Sequence, residues 1–294
     1  MTQSASPSTI HIGFMRRSIV AVGIVLAGAA SGCGDGHDDG LYQSVPASEF
    51  SAEVGARWFA AHYDLVKANR TSPPRASRQF GYAGVALYEA TVHGMPGYRS
   101  LAGQLNGLAA LPSPIDAVHH WPLVANAALA RMMSEFHPED DATITALEQE
   151  IVATYRANTG AEVVERSAAY GGDLADAILA WAAGDGSADL AACGAAFVPP
   201  RDPLLGGWTP TGPGPIYGLE PCWGSLRPFV LVEASDCAAG GAPAYSTSRS
   251  SAFYAQALAV YNTTGDGGAA LSPDETAIAN YWADGAGDTG TPPG

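Results

Sequence analysis

Histidines and carboxylates are the residues of this sequence whose spacing could support metal chemistry. Glu89 and His93 lie four residues apart, which places them one turn apart on the same face of a helix. A metal site needs three or four converging ligands, and the adjacent pair His119-His120 would point to different faces of its helix. We therefore interpret these residues as surface groups or hydrogen-bonded core groups, and we predict no metal-binding residue among them.

Motifs of common catalytic and nucleotide-binding sites are also missing from the sequence. It contains no G-x-S-x-G elbow, no P-loop, no G-x-G-x-x-G after a predicted strand and no H-E-x-x-H. The acidic run Glu139-Asp140-Asp141 has a structural explanation, because negative side chains stabilise the N-terminus of a helix. A catalytic carboxylate pair is the alternative interpretation of that run. The sequence predicts no catalytic residue and no cofactor-binding residue.

The overall composition is that of an acidic globular protein. The chain of 294 residues is 47% hydrophobic and can bury a sizeable core, as one large domain or two smaller ones. Its 14 basic and 29 acidic residues give a formal net charge of -15. A surface of this charge excludes nucleic acid as an expected partner.

The N-terminus has the features of an export signal. Arg16 and Arg17 precede an uncharged run over 19–30, and Ser31-Gly32-Cys33 resembles the end of a bacterial lipobox. We predict a signal peptide over 1–32, a lipid anchor that attaches Cys33 to the membrane, and a flexible tether over 33–46. The protein is then a periplasmic or cell-surface lipoprotein. Simple cleavage and an uncleaved anchor are the alternatives.

Three cysteines follow the predicted lipidation site: Cys193, Cys222 and Cys237. In an oxidising compartment two of them can form a disulfide, and the sequence leaves the pairing open. Zinc is disfavoured because no C-x-x-C pair or nearby histidine accompanies these cysteines.

Hydrophobic periodicity predicts a mainly α-helical bundle of about seven helices with a long Pro/Gly-rich wrapping loop. The loop covers 187–244, where prolines recur too often for a continuous helix. The closing helix begins with a capping box formed by Ser272 and Glu275 around Pro273. The other helices are predicted, by apolar spacing and by their end signals, at about 48–69, 76–93, 116–136, 139–158, 162–183 and 246–261.

Several segments resemble, in order, the N-terminal helical part of bacterial vanadium-dependent haloperoxidases, which belong to the type 2 phosphatidic acid phosphatase superfamily. The more specific pieces are the W-G-x-x-R-P-F run at 223–229 and the closing W-A-D-G and T-P-P-G at 282–294. Less specific matches are ARWFAA at 56–61, RQFGYAGVALYEA at 78–90 and GWTPT at 207–211. The resemblance implies that 47–294 is the N-terminal helical region of such a protein, truncated before the catalytic half and therefore incomplete.

The resemblance also implies which residues a complete family member uses. In the family, vanadate or phosphate is held by a lysine followed seven residues later by Arg-Pro, then by P-S-G-H, then by S-R and a histidine. In haloperoxidases the bound vanadate activates peroxide to oxidise halide, and in the phosphatase relatives the histidine attacks a phosphoester. This chain has one lysine, Lys67, its one Arg-Pro is Arg227-Pro228 inside the W-G-x-x-R-P-F run, and it has no P-S-G-H. We therefore expect no vanadate site in this chain and no activity of the chain alone.

The expected partners are the missing catalytic half or further copies of this chain in a homo-oligomer. A truncated reading frame would leave apolar surface exposed on the closing helix. The alternative function is a non-catalytic envelope lipoprotein whose helical domain binds a ligand or a partner.

Overall fold

The structure is a computed structural model that describes residues 44–198, 220–263 and 271–282. These residues contain eight α-helices and no strand, which confirms the predicted mainly α-helical class. The helices are α1 (Glu53–Ala68), α2 (Pro73–Val92), α3 (Trp121–Phe136), α4 (Asp141–Arg156), α5 (Ala161–Ala183), α6 (Leu190–Ala196), α7 (Ala252–Thr263) and α8 (Pro273–Tyr281).

Helix α3 is the centre of the bundle. It packs most extensively against α5 and also contacts α1, α2 and α4. Every residue from Trp121 to Ala130 is buried, and its two charged residues, Arg131 and Glu135, lie in its second half. A helix surrounded by neighbours must be apolar on all faces, and the sequence of α3 meets that requirement.

Pro73 and Pro74 begin α2, three residues ahead of the predicted start at about 76. Helix α1 ends at Ala68, and Pro73 and Pro74 occupy the first positions of α2 after Ser72. Proline is tolerated there because the first helical amides have no partner within the helix, and its fixed φ suits the first turn. Pro122 is placed in the same way at the start of α3.

Other helix boundaries also differ from the predictions. The helix predicted from 116 begins at Trp121, and the one predicted from 246 begins at Ala252. The acidic run expected to begin a helix instead forms a separate 3-10 turn over Pro138–Asp140, so that α4 begins at Asp141. The capping box at the start of α8 is confirmed: the Ser272 hydroxyl accepts from the Glu275 amide, and the Glu275 carboxylate accepts from the Ser272 amide.

The predicted wrapping loop contains one helix that the prediction missed. Helix α6 uses the proline-free residues ahead of Pro199, and the segment from Glu220 to Ser251 has only short 3-10 turns. Cys193 on α6 pairs with Cys222, with their Cα atoms 6.2 Å apart, and Cys237 is a free, exposed thiol. The structure thus selects one of the pairings that the sequence left open.

The first described residues, 44–46, are the last residues of the predicted tether. The Ser44 hydroxyl accepts a hydrogen bond from the His119 amide at 2.8 Å, so the last tether residues contact the helical domain. The predicted signal peptide, Cys33 and most of the tether lie outside the described residues. Within the described ranges, no helix combines the length and the apolar character needed to cross a bilayer.

Candidate functional site

The W-G-x-x-R-P-F run, here called the signature segment (Trp223–Phe229), packs across one end of α2 and α5. Its Phe229 ring lies 5.0 Å from the Tyr82 ring and 5.1 Å from the Trp181 ring, measured between centroids. Asn106 holds the same stretch, because its backbone amide donates to the Phe229 carbonyl at 2.8 Å and its side-chain amide donates to Pro228 at 3.0 Å. The signature segment is therefore an integral part of the bundle.

Arg227 of the signature segment binds the C-terminus of α5. Its guanidinium donates to the Trp181 carbonyl at 2.7 Å and the Gly184 carbonyl at 3.1 Å, and it lies over the Trp181 ring at 5.0 Å. The last carbonyls of a helix have no partner within the helix and carry partial negative charge, so a cation is stabilised there. The Arg-Pro of this chain is thus used to cap a helix.

Asp185, just beyond α5, connects the same end of the bundle to α2. Its carboxylate accepts from the Arg78 guanidinium at 2.6 Å, the Tyr82 hydroxyl at 2.9 Å and the Ser187 amide at 2.9 Å. Burial alone would raise the pKa of Asp185, but the hydrogen bonds from Arg78 and Ser187 outweigh it and hold the pKa below its usual value. Burial and the adjacent Asp185 raise the pKa of Tyr82 to about 12, so Tyr82 remains a neutral donor.

A cleft of about 340 Å³ lies between α2 and the signature segment. Its lining combines one ion pair, a second arginine and several apolar side chains: Ser77, Arg78, Gly81, Tyr82, Asp185, Trp223, Gly224, Leu226, Arg227, Pro228, Phe229, Leu231 and Ala234. The described lining residues include no lysine and no histidine. Both guanidinium groups already donate within the fold, Arg78 through Nε and Nη2 and Arg227 through Nη1 and Nη2, whereas the Arg227 Nε has no partner in the described part of the chain. These residues do not fit a tetrahedral oxyanion, which needs several free cationic donors and, for vanadate, a histidine ligand.

The rings of His93 and His119 both lie beside the Tyr170 ring, at 6.5 Å and 5.6 Å between centroids, but they do not form a set of metal ligands with Glu89. Glu89 is buried and accepts a hydrogen bond from the Leu101 amide at 2.5 Å, whereas His93 is exposed at the end of α2. Among the described residues there is no group of three or more His, Cys, Asp or Glu side chains placed to hold a metal ion.

The two adjacent histidines have separate surroundings. His119 is buried and stacks on Trp121 with 5.8 Å between ring centroids. His120 is half-buried and contacts Phe50 at 4.8 Å, also between ring centroids. Each is accounted for by packing within the bundle.

Sequence reasoning missed a buried histidine pair between α1 and the end of α3. His62 is fully buried, stacks on Phe80 at 4.1 Å and lies 5.2 Å from the ring of His137. Neither ring nitrogen of His62 makes a hydrogen bond of good geometry within the described residues. The sequence did indicate that His62 is buried. It lies on the same apolar stripe of α1 as Trp58 and Leu65, and residues on that stripe face the core.

Acid is expected to destabilise the fold through His62. Burial and the nearby His137 lower the pKa of His62 to about 4. The unfolded chain, with a histidine pKa near 6.5, binds more protons than the folded one, so stability is full above about pH 6.5 and falls as the pH decreases toward 4. The loss of unfolding free energy is on the order of 3 kcal/mol, because each unit by which the unfolded pKa exceeds the folded pKa is worth about 1.4 kcal/mol. Urea unfolding between pH 7 and 4 measures it.

His62→Phe provides the comparison variant, because a phenyl ring suits the apolar site and does not titrate. We expect its advantage over the wild-type chain to grow as the pH falls, while His93→Gln, at an exposed position, follows the wild-type curve. An unchanged pH dependence in His62→Phe would show that His62 is not responsible.

Comparison with solved structures shows a likeness to the crystal structure of the first bacterial vanadium-dependent iodoperoxidase. The two share 30% sequence identity with a TM-score of 0.71, over 82% of this chain and 57% of that chain. This chain therefore spans little more than half the length of the iodoperoxidase chain that it matches. No family model and no curated protein matches the chain.

The likeness agrees with the resemblance of the sequence segments and with the packed position of the signature segment. The motifs GWTPT at 207–211 and T-P-P-G at 291–294 lie outside the described residues. Long coverage at 30% identity confirms the haloperoxidase resemblance at the level of the fold. The chain thus has the all-helical, haloperoxidase-like fold of the vanadium-dependent haloperoxidase and type 2 phosphatidic acid phosphatase superfamily, over the region that it shares with the iodoperoxidase.

Proposed function

We propose that this chain is the exported N-terminal helical part of a vanadium-dependent haloperoxidase-like protein, which lacks the vanadate site and is inactive alone. In this account the chain supplies a helical scaffold, and vanadate-dependent oxidation of halide by peroxide belongs to the complete protein. One observation supports this proposal most strongly. The fold resembles that of the iodoperoxidase, but the sequence contains no P-S-G-H and its one Arg-Pro caps α5.

The arginines of the cleft support this proposal. A vanadate site needs positive charge that is free to face the oxyanion. Arg78 forms an ion pair with Asp185 at 2.6 Å, and Arg227 binds the last carbonyls of α5. Rearranging either arginine to bind vanadate would leave buried acceptors without partners, which costs about 1–3 kcal/mol for each unsatisfied group.

Two features support export, membrane attachment and a periplasmic or cell-surface location. The sequence ahead of Cys33 has the basic, apolar and small-residue regions of a secretory signal. The disulfide between Cys193 and Cys222 suits an oxidising compartment, because cytosolic thiols are kept reduced.

A second candidate function is a non-catalytic envelope lipoprotein that binds a ligand. The cleft beside the signature segment favours it, because a lining that combines apolar side chains such as Trp223 and Phe229 with a few polar groups such as Asp185 is typical of small-molecule sites. Reading the DNA beyond codon 294 in all frames separates the two candidates. Codons for K-x-x-x-x-x-x-R-P, P-S-G-H and S-R with a histidine support the haloperoxidase account, and their absence favours the lipoprotein.

The test of the proposed function is vanadate-dependent chemistry of the purified chain. Residues 34–294 are incubated with vanadate, peroxide and either iodide or bromide, with the bacterial iodoperoxidase as the positive control. We expect no halide oxidation above that of vanadate in buffer. Oxidation that requires the chain and saturates with vanadate would overturn the proposal.

A further inference from the structure

The cleft between α2 and the signature segment has a lining of opposite charge to the chain. Its charged lining residues are two cations, Arg78 and Arg227, and one anion, Asp185. One positive charge is therefore not balanced within the lining, whereas the whole chain has a formal net charge of -15. Charges that line a concave surface act strongly on a ligand, because low-dielectric walls focus their field. The lining thus favours an anionic ligand.

Arg78 has one guanidinium nitrogen that the fold does not use. Its Nε donates to the Asp185 carboxylate and its Nη2 donates to the Ala182 carbonyl, but no hydrogen bond among the described residues uses its Nη1. The Arg78 side chain is 19% exposed, and Nη1 is not among the buried atoms that lack a partner, so solvent reaches it. A ligand in the cleft can accept a hydrogen bond from Arg78 while the ion pair with Asp185 stays intact.

Arg227 contributes charge to the cleft but no free donor. Its Nη1 and Nη2 donate to the last carbonyls of α5, and its unpartnered Nε is enclosed by protein. The partial negative charge of those carbonyls offsets part of the guanidinium charge. One free donor and no more than one surplus charge match a single carboxylate, and they are too few for a tetrahedral oxyanion with several charged oxygens.

The apolar part of the lining is rich in aromatic side chains. Tyr82 and Phe229 pack against each other with 5.0 Å between ring centroids and form a fixed part of the wall. Trp223 also lines the cleft and is half-buried, and no other ring among the described residues packs against it. An indole with no ring partner is suited to pack against a planar apolar group. These side chains favour a ligand with an aromatic body.

We infer that the cleft binds a small aromatic monocarboxylate, whose carboxylate accepts a hydrogen bond from Arg78 Nη1 and whose ring packs against Trp223. This inference deepens the second candidate function, ligand binding by the cleft, and rests on it. The volume of about 340 Å³ lies at the lower end of the usual range for small-molecule sites, roughly 300–1,000 Å³, which suits a ligand of one or two fused rings.

The test is calorimetric titration of the purified chain with β-naphthoate at pH 7. Two matched compounds separate the contributions, because β-naphthamide has the same rings without the charge and acetate has the carboxylate without the rings. We expect β-naphthoate to bind at one site about tenfold more tightly than β-naphthamide, since a hydrogen bond to a charged group is stronger than one between neutral groups. Acetate is expected to show no saturable binding.

Two variants assign the binding to the cleft. Arg78→Lys keeps a cation for Asp185 but loses the planar fork with its free Nη1, so the preference for β-naphthoate over β-naphthamide should fall to about twofold. Trp223→Ala should weaken the binding of both compounds roughly tenfold. Arg131→Lys and Trp282→Ala, outside the cleft lining, are the matched controls and should bind as the wild-type chain does. Circular dichroism spectra check that each variant folds.

Three results would overturn the inference: no saturable binding of β-naphthoate, equal affinity of the wild-type chain for β-naphthoate and β-naphthamide, or unchanged binding of both compounds by Trp223→Ala. The first two need no variant, so the inference stays testable even if Arg78→Lys does not fold. Equal affinity for the two compounds, lost in Trp223→Ala, would leave ligand binding by the cleft intact and defeat only the anionic class of ligand. The failure of the inference is thus distinguishable from the failure of the second candidate function.

Discussion

Replacement of Asp185 with alanine is expected to lower the free energy of unfolding by about 3–5 kcal/mol, the usual cost of removing one partner of a buried ion pair. The Asp185 side chain is 3% exposed and the Arg78 side chain 19% exposed, so little water is available to replace the carboxylate. The variant leaves the Arg78 charge without its partner and removes the acceptor of the Tyr82 hydroxyl. Urea denaturation at pH 7 measures the change.

The control for this variant is Asp173→Ala, at an exposed position on α5, which should alter the free energy of unfolding by less than about 0.5 kcal/mol.

The pH dependence of the stability of Asp185→Ala gives a second check. Because the pKa of Asp185 is depressed, its contribution is present above the unfolded pKa of about 3.9 and is lost as the pH falls through the folded pKa. The difference between wild type and Asp185→Ala should therefore shrink in acid. Equal stability of the two proteins at pH 7 would contradict the assigned role.

Gly171→Ala is expected to destabilise the fold by about 3 kcal/mol, at the upper end of the cost of overpacking a core. Gly171 lies on α5 where this helix crosses α3. A Cβ atom there would collide with the backbone carbonyl oxygen of Val124 and lie 3.0 Å from the Ala127 Cβ. A backbone atom cannot move aside as a flexible side chain can, so the two helices would have to separate. Thermal or urea unfolding measures the loss.

Gly172→Ala is the matched control one residue further along α5. A Cβ atom at Gly172 meets nothing within 4 Å. Alanine there should stabilise the chain by about 0.5–1 kcal/mol, because glycine inside a helix loses more conformational entropy on folding. The two substitutions thus have opposite expected signs, and an increase in stability for Gly171→Ala would show that α3 and α5 do not approach as closely as described.

The helices themselves were largely predictable from the sequence. Apolar spacing of 3.6 residues located α1 to α5, and the Ser272 and Glu275 pattern located the start of α8. Helix boundaries were less predictable where one residue type has two uses. Pro73 and Pro74 can end one helix or begin the next, and only the neighbouring packing decides which.

The interactions at the candidate site could not be predicted, because they join residues far apart in the chain. Asp185 follows a helix-ending Gly184, and nothing nearby in sequence shows that its partners are Arg78 and Tyr82, more than 100 residues earlier. The difference between Gly171 and Gly172 likewise depends on where α3 crosses α5. The resemblance located the signature segment, and the structure shows that Arg227 caps α5.

The most direct test of the central claim is vanadate binding by residues 34–294, measured by equilibrium dialysis alongside the halide-oxidation assay. The account predicts no saturable binding, because both cleft arginines are engaged within the fold and the chain has no P-S-G-H. Stoichiometric, saturable binding that supports iodide or bromide oxidation would contradict it.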